Sequence, residues 1–110
     1  MKSKIVIAYC TFPSKDVAES ICRQLVSDGT IACANVFQPH TAIYAWNGAI
    51  QAEAECAAIL KLNARKQTTL KEKIRATHPY AVPALVFLTV NDGLPEFVNW
   101  VYAQRPYAPF

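Results

Sequence analysis

Apolar positions along the chain alternate between two spacings, one typical of strands and one typical of helices. Pro13 ends the first apolar run, Ser14 is a good N-cap, and Gly29 suits the position just after a helix. The pattern predicts the following elements in order: a strand 5–12, a helix 15–28, a strand 31–37, a hairpin turning at 47–48, a helix from 63 or 64 to about 78, a strand 84–90 and a helix 95–104.

The stretch 41–63 contains many good helix formers, yet Asn47 and Gly48 are the strongest short-range signal for a two-residue β-turn. If Trp46 faces Ala49 across that turn, the side chains separate with a period of two, as a half-buried strand requires. One face is then apolar and includes Ile43 and Ile50. The other face is polar nearer the tip and carries His40, Tyr44 and Trp46 opposite Gln51, Glu53 and Glu55. We therefore predict a hairpin.

The resulting order, strand–helix–strand–strand–helix–strand, predicts an α+β, ferredoxin-like fold with one antiparallel sheet and both helices on one face. A strand of about 14 residues spans roughly 45 Å, whereas a compact domain of this length is only about 35 Å across. The tip of the hairpin is therefore expected to protrude.

The strands are apolar on both sides, because Ile7 and Tyr9 alternate with Val6 and Ala8. Two helices cover only one face, and the short third helix covers part of the other, so we expect self-association. The residues predicted at such an interface are Tyr44, Trp46, Val36 and Ile59.

Composition adds limits to this picture. The 110 residues fit a single domain, 1–110, with an irregular tail at 105–110, and the net charge of +3 is mild. The four cysteines form no C-x-x-C pair, and neither a secretion signal nor a bilayer-spanning stretch is evident, so we expect reduced thiols and a cytoplasmic protein without membrane contact. No phosphate loop or nucleophile–base pair suggests an enzyme, and no aromatic RNA-binding signature suggests a nucleic-acid partner.

Several short motifs occur in fixed order: CTFPS (10–14), ACANV (32–36), YAWNG (44–48) followed by Glu53 and Glu55, then Lys61, and HPYAVPAL (78–85). With these motifs the chain resembles the CutA family of divalent-cation tolerance proteins over roughly residues 5–102. The resemblance implies a homotrimer related in architecture to the PII signalling proteins, in which long hairpins pair with neighbouring subunits.

The resemblance also implies a link to Cu²⁺ or another divalent cation, with Cys10 and His78 as metal ligands and no organic cofactor. Three positions depart from the family pattern: Thr77 replaces the first histidine of a pair, Ala84 replaces an acidic residue, and Leu62 replaces threonine. One cysteine and one histidine are an incomplete metal shell, which Cys33 or another subunit would have to complete. As alternatives, Cys10 is a buried core residue and His78 ends a helix.

Three functions remain open from the sequence. The first is a non-enzymatic trimer that binds soft or divalent metal ions. The second is a PII-like regulatory module that binds a small anionic metabolite in clefts between subunits, where the candidate lining residues are Glu53, Glu55, Lys61 and Tyr80. The third is a stable scaffold for partners. His40 and Glu55 either hold a metal or form a simple cross-strand contact.

Overall fold

The computed structural model describes residues 4–107. Five strands and three α-helices follow the predicted order. They are β1 (Ile5–Phe12), α1 (Lys15–Ser27), β2 (Cys33–Val36), β3 (His40–Trp46), β4 (Ala49–Asn63), a 3₁₀ turn (Ala64–Lys66), α2 (Gln67–Thr77), β5 (Leu85–Thr89) and α3 (Pro95–Ala103). The predicted second strand, 31–37, is shorter than expected because the N–H groups of Thr30 and Ile31 both donate to Leu25 O and close the end of α1.

The strands form one antiparallel sheet in the order β2-β4-β1-β5, and β3 pairs with the outer half of β4. The helices α1 and α2 pack on the same face, so the predicted ferredoxin-like fold is confirmed. Within residues 4–107 no helix is long and apolar enough to cross a membrane.

The main core lies between this face and the two helices. Alternate residues of β1 and β4 meet the apolar stripes of the helices, as the period of two predicts. Burying one leucine or isoleucine side chain contributes about 1.5–3 kcal/mol, so the side chains that are fully enclosed dominate the stability. The largest of them are Phe12, Ile31, Leu60, Leu62, Leu70 and Ile74.

The hairpin is confirmed in the predicted register. Trp46 pairs with Ala49 and His40 with Glu55, while Asn47 (φ 49°) and Gly48 (φ 76°) take the left-handed conformations of a two-residue turn. Because the hairpin extends beyond the helices, its tip is exposed, and the molecule reaches 45 Å along its longest axis.

The predicted position of Val36 at an interface on the uncovered face is wrong. Val36 pairs with Ala58, whereas His40 pairs with Glu55, so three residues of the β2–β3 link stand opposite two residues of β4. This odd offset turns Ala34 and Val36 to the helix-covered face, where both pack against the core. Thr77, which replaces a histidine of the family pattern, is exposed, and its hydroxyl donates to Lys73 O at 2.7 Å.

The opposite face of the sheet, which we call the bare face, is only partly covered. Helix α3 packs Val101 against Ile5 at one end of this face, as expected of the third helix. Beyond it the bare face is open, and Val86 and Leu88 remain 55% and 53% exposed. An apolar sheet surface of this kind is unusual for a lone chain in water.

The turn after α1 is held in place by the C-terminal segment and by Lys66 of the 3₁₀ turn. Tyr107 N–H donates to Ser27 O at 2.8 Å, and Lys66 Nζ donates to Gly29 O at 2.5 Å. A Cβ atom added to Gly29 would lie 2.5 Å from the nitrogen of Pro106. Gly29 is therefore required both for its φ of 78° and for this close approach.

We predict that Gly29→Ala lowers the free energy of unfolding by about 2–4 kcal/mol, because it combines a left-handed alanine with a backbone clash. Gly48→Ala is the matched control: its φ is 76°, but nothing lies within 4 Å of the added Cβ. Guanidinium unfolding of both variants measures the difference. An equal decrease in the free energy of unfolding in both variants would contradict the packing of Pro106 on Gly29.

Candidate functional site

A group of acidic and aromatic side chains lies where the hairpin leaves the sheet. We call it the Glu55 cluster: His40, Tyr44, Glu53, Glu55 and Tyr80. The β3–β4 register places the first four on the same side of the hairpin as the bare face, because His40 pairs with Glu55 and Tyr44 lies diagonally from Glu53. Tyr80 reaches the cluster from the loop after α2.

Glu55 is the centre of this cluster. Its Oε2 accepts a hydrogen bond from the Tyr80 hydroxyl at 3.1 Å, and its Oε1 lies 4.0 Å from His40 Nε2. Burial, followed by the hydrogen bond and negative charge of Glu55, raises the pKa of Tyr80 to about 12. Desolvation, and then Glu53, raises the pKa of Tyr44 above its usual range. Both phenols are therefore neutral donors at physiological pH.

His78 positions Tyr80. His78 is only 7% exposed, and its ring stacks on Phe12 with the ring centroids 5.1 Å apart. Nε2 lies 2.7 Å from Thr11 O, and Nδ1 accepts the Tyr80 N–H at 3.1 Å. A neutral ring protonated on Nε2 satisfies both contacts. Both nitrogens are thus occupied within the chain.

Cys10 is fully buried on the helix-covered face of β1, between its partners Ala58 and Leu85. Burial, with a smaller contribution from Cys22, raises the pKa of its thiol to about 12. The thiolate is the form that binds metals, so this environment disfavours ligation. Cys10 and His78 as a metal pair remain a prediction. Across the described part of the chain, no three Cys, His, Asp or Glu side chains lie together as a metal-binding group.

Lys61 does not join the other predicted ligand-binding residues within one chain. It lies six positions from Glu55 along β4, about 20 Å away, although it projects from the same face. Its Nζ donates to Asn35 Oδ1. The structure therefore brings together Glu53, Glu55 and Tyr80, and leaves Lys61 at the other end of the bare face.

Two features of the site were missed from the sequence. The sequence predicts Tyr44 on the polar face of the hairpin and at an interface, but not its interaction with Glu53, which lies diagonally across the hairpin. His78 contacts the distant Thr11 O through Nε2 and the neighbouring Tyr80 N–H through Nδ1, and no local sequence pattern predicts this pair of hydrogen bonds.

We predict that Glu55→Gln lowers the pKa of Tyr80 from about 12 toward the ordinary value near 10, because the variant removes the negative charge next to the phenol. The absorbance of tyrosinate against pH, with Tyr80→Phe subtracted in each background, measures the shift. Glu72→Gln, an exposed change on α2, is the matched control and leaves the Tyr80 titration unchanged. An unchanged titration in Glu55→Gln would contradict the contact.

Comparison with known proteins identifies the family. The model of the CutA1 divalent ion tolerance protein matches residues 6–104. The divalent-cation tolerance protein CutA of Pyrococcus horikoshii is 38% identical over 100 residues, covering 91% of this chain and 97% of its own. The solved structure of the Thermus thermophilus divalent cation tolerance protein has a TM-score of 0.88 at 32% identity, covering 92% of this chain and 98% of its own. The chain therefore belongs to the CutA1 divalent ion tolerance family.

Proposed function

We propose that this chain acts without catalysis as a homotrimer that binds divalent cations, copper among them, and contributes to cation tolerance. The observation that carries the proposal is membership of a family named for divalent-cation tolerance. The bare face supports self-association, and the Glu55 cluster supports cation binding.

Self-association is supported by the bare face. Val86, Leu88 and Tyr9 form an exposed apolar surface beside the protruding hairpin, which itself exposes Trp46. Covering apolar surface with a second chain gains about 25 cal/mol per Å² removed from water, before the cost of association is subtracted. The predicted interface residues Tyr44, Trp46 and Ile59 share this side of the sheet. Val36 does not, because its side chain packs into the core.

Cation binding is supported by the chemistry of the cluster on the same side. Carboxylates and imidazoles are suitable ligands for several divalent ions, but within the described residues of one chain they do not form a group of three. Cys10 and His78 would add soft donors, but only after their present hydrogen bonds and burial are given up. We therefore propose that the complete metal shell draws ligands from more than one subunit.

The PII-like alternative remains a second proposal. A cleft that contains both Glu55 and Lys61 requires two chains, because the two residues are far apart on one β4. Lys61 has a neutral hydrogen-bond partner in Asn35, which leaves its charge available to an anion.

The cytoplasmic location also remains a prediction. The solved relative from Archaeoglobus fulgidus is described as periplasmic; it has 32% identity and a TM-score of 0.85 over 88% of this chain and 94% of its own.

For metal binding, titration calorimetry with Cu²⁺, Zn²⁺ and Cd²⁺ is expected to show stoichiometric binding by the wild type. Cys10→Ser and His78→Ala are each expected to weaken it by about tenfold or more if those residues are ligands. Cys22→Ser, another buried thiol, is the matched control. Circular dichroism establishes that each variant folds.

Unchanged metal affinity in both variants would show that Cys10 and His78 are not ligands. The Glu55→Gln variant then tests whether the Glu55 cluster binds the metal instead. If no ion binds below millimolar concentration, while a nucleotide or organic acid raises the melting temperature, the regulatory alternative replaces the metal proposal.

For assembly, analytical ultracentrifugation at micromolar concentration is expected to show three times the mass of the chain. Leu88→Lys places a charge on the bare face and should yield smaller species, because an unpaired charge would be buried at the interface. Val82→Lys is the matched control, since Val82 is exposed in a loop outside the sheet. A single-chain wild type would contradict the trimer.

A further inference from the structure

Two cationic side chains are held against one aromatic ring at the end of the sheet opposite the hairpin. Lys4 Nζ lies 5.4 Å from the centroid of the Tyr102 ring, and the Arg65 guanidinium carbon lies 5.9 Å from it. We call these three residues the Tyr102 cluster. Both distances are within the range of a cation–π contact, and the two cations are therefore no more than about 12 Å apart.

The backbone of this cluster is fixed by neighbouring hydrogen bonds. Asn63 Nδ2 donates to Tyr102 O at 3.0 Å, and Asn63 Oδ1 accepts the Arg65 N–H at 2.9 Å. Ala64 N–H donates to Lys4 O at 2.9 Å. The start of β1, the end of β4 and helix α3 are thus joined at one point, so the cluster does not depend on a mobile loop.

Within residues 4–107, no carboxylate forms an ion pair with either of these cations. Among the residues described, neither Lys4 nor Arg65 has an acidic partner within 4.0 Å; the two pairs within that distance are Lys73 with Asp28 and His40 with Glu55. The nearby Lys61 is hydrogen-bonded to the neutral side chain of Asn35, and the first turn of α2 carries no acidic residue. In the described part of the chain, these like charges therefore lie close together without an acidic partner.

Charge is therefore segregated along the bare face. The carboxylates of Glu53 and Glu55 lie at the hairpin end of β4, whereas Lys61 lies toward the end that carries the Tyr102 cluster. An anion would be attracted to the second end and repelled from the first. A guanidinium presents a planar fork of donors, and an ammonium presents a point charge, which is a combination suited to phosphate oxygens.

We propose that the Tyr102 cluster binds an anion containing two or more linked phosphate groups. Arg65 holds one phosphate through paired N–H donors, Lys4 contacts another, and the ring of Tyr102 keeps the two cations apart. This site is separate from the Glu55 cluster and does not depend on cation binding.

The test uses sodium tripolyphosphate as the probe, with the full chain and no added metal ion. Calorimetry should show binding below millimolar concentration that weakens as salt rises. Arg65→Gln should raise the Kd by about tenfold or more, and Lys4→Gln should raise it several-fold, because a charge-assisted hydrogen bond is lost in each variant. Melting temperatures establish that both variants fold.

Lys71→Gln is the matched control. Lys71 also lies over an aromatic ring, with its Nζ 5.9 Å from the centroid of Phe87, but no second cation among residues 4–107 lies over that ring. The substitution makes the same change in net charge, and we expect the Kd to stay within twofold of the wild type. An equal loss in Lys71→Gln would mean non-specific attraction to a basic protein and would overturn the proposal.

Two other results would also overturn it. One is the absence of tripolyphosphate binding below millimolar concentration. The other is inorganic phosphate binding as tightly as tripolyphosphate, since a single phosphate would then account for the whole interaction. Because the metal titrations use different residues and different probes, failure of this proposal is distinguishable from failure of the proposed function.

Discussion

The 15-residue strand β4 is the constraint on which the rest of the structure depends. It pairs with β1, β2 and β3, so it is both the centre of the sheet and one side of the hairpin. The helices are long enough to cover only its inner half, where Leu60 and Leu62 are fully buried. The outer half extends into water. Because β4 is longer than the helices that cover it, part of the strand and of its partner β3 remains exposed.

The same strand separates the chemistry of the two faces. Because side chains alternate along a strand, Cys56 and Ala58 face the core, while Glu53 and Glu55 face the open side with Lys61 farther along. The core face is apolar and determines stability. The open face holds the carboxylates at one end and the cations at the other, so the candidate ligand sites and the candidate subunit interface share one surface.

His78 shows how a residue assigned to ligand chemistry also has a structural role. Its ring nitrogens connect the end of β1, at Thr11, to the backbone of Tyr80, and Tyr80 in turn hydrogen-bonds to Glu55. A substitution at His78 therefore shifts Tyr80, and through the Tyr80 hydroxyl it also affects Glu55. A His78 variant could therefore lose metal affinity either because a ligand is gone or because Tyr80 and Glu55 have moved. Measuring the metal affinity of a Glu55 variant separates these two causes, because His78, Tyr80 and Glu55 form one chain of contacts.

The sequence by itself determined the element order, the Ser14 cap, the turn at Asn47 and Gly48, and the register that pairs His40 with Glu55, since each depends on spacing or turn chemistry within a few residues. Only the tertiary structure decided the face of Val36, because one extra residue in the β2–β3 link reverses every side chain before it. It likewise decided the contacts of His78 and the grouping of Lys4, Arg65 and Tyr102. These depend on residues that are distant in sequence and meet only after the sheet and helices have packed, so no local pattern encodes them.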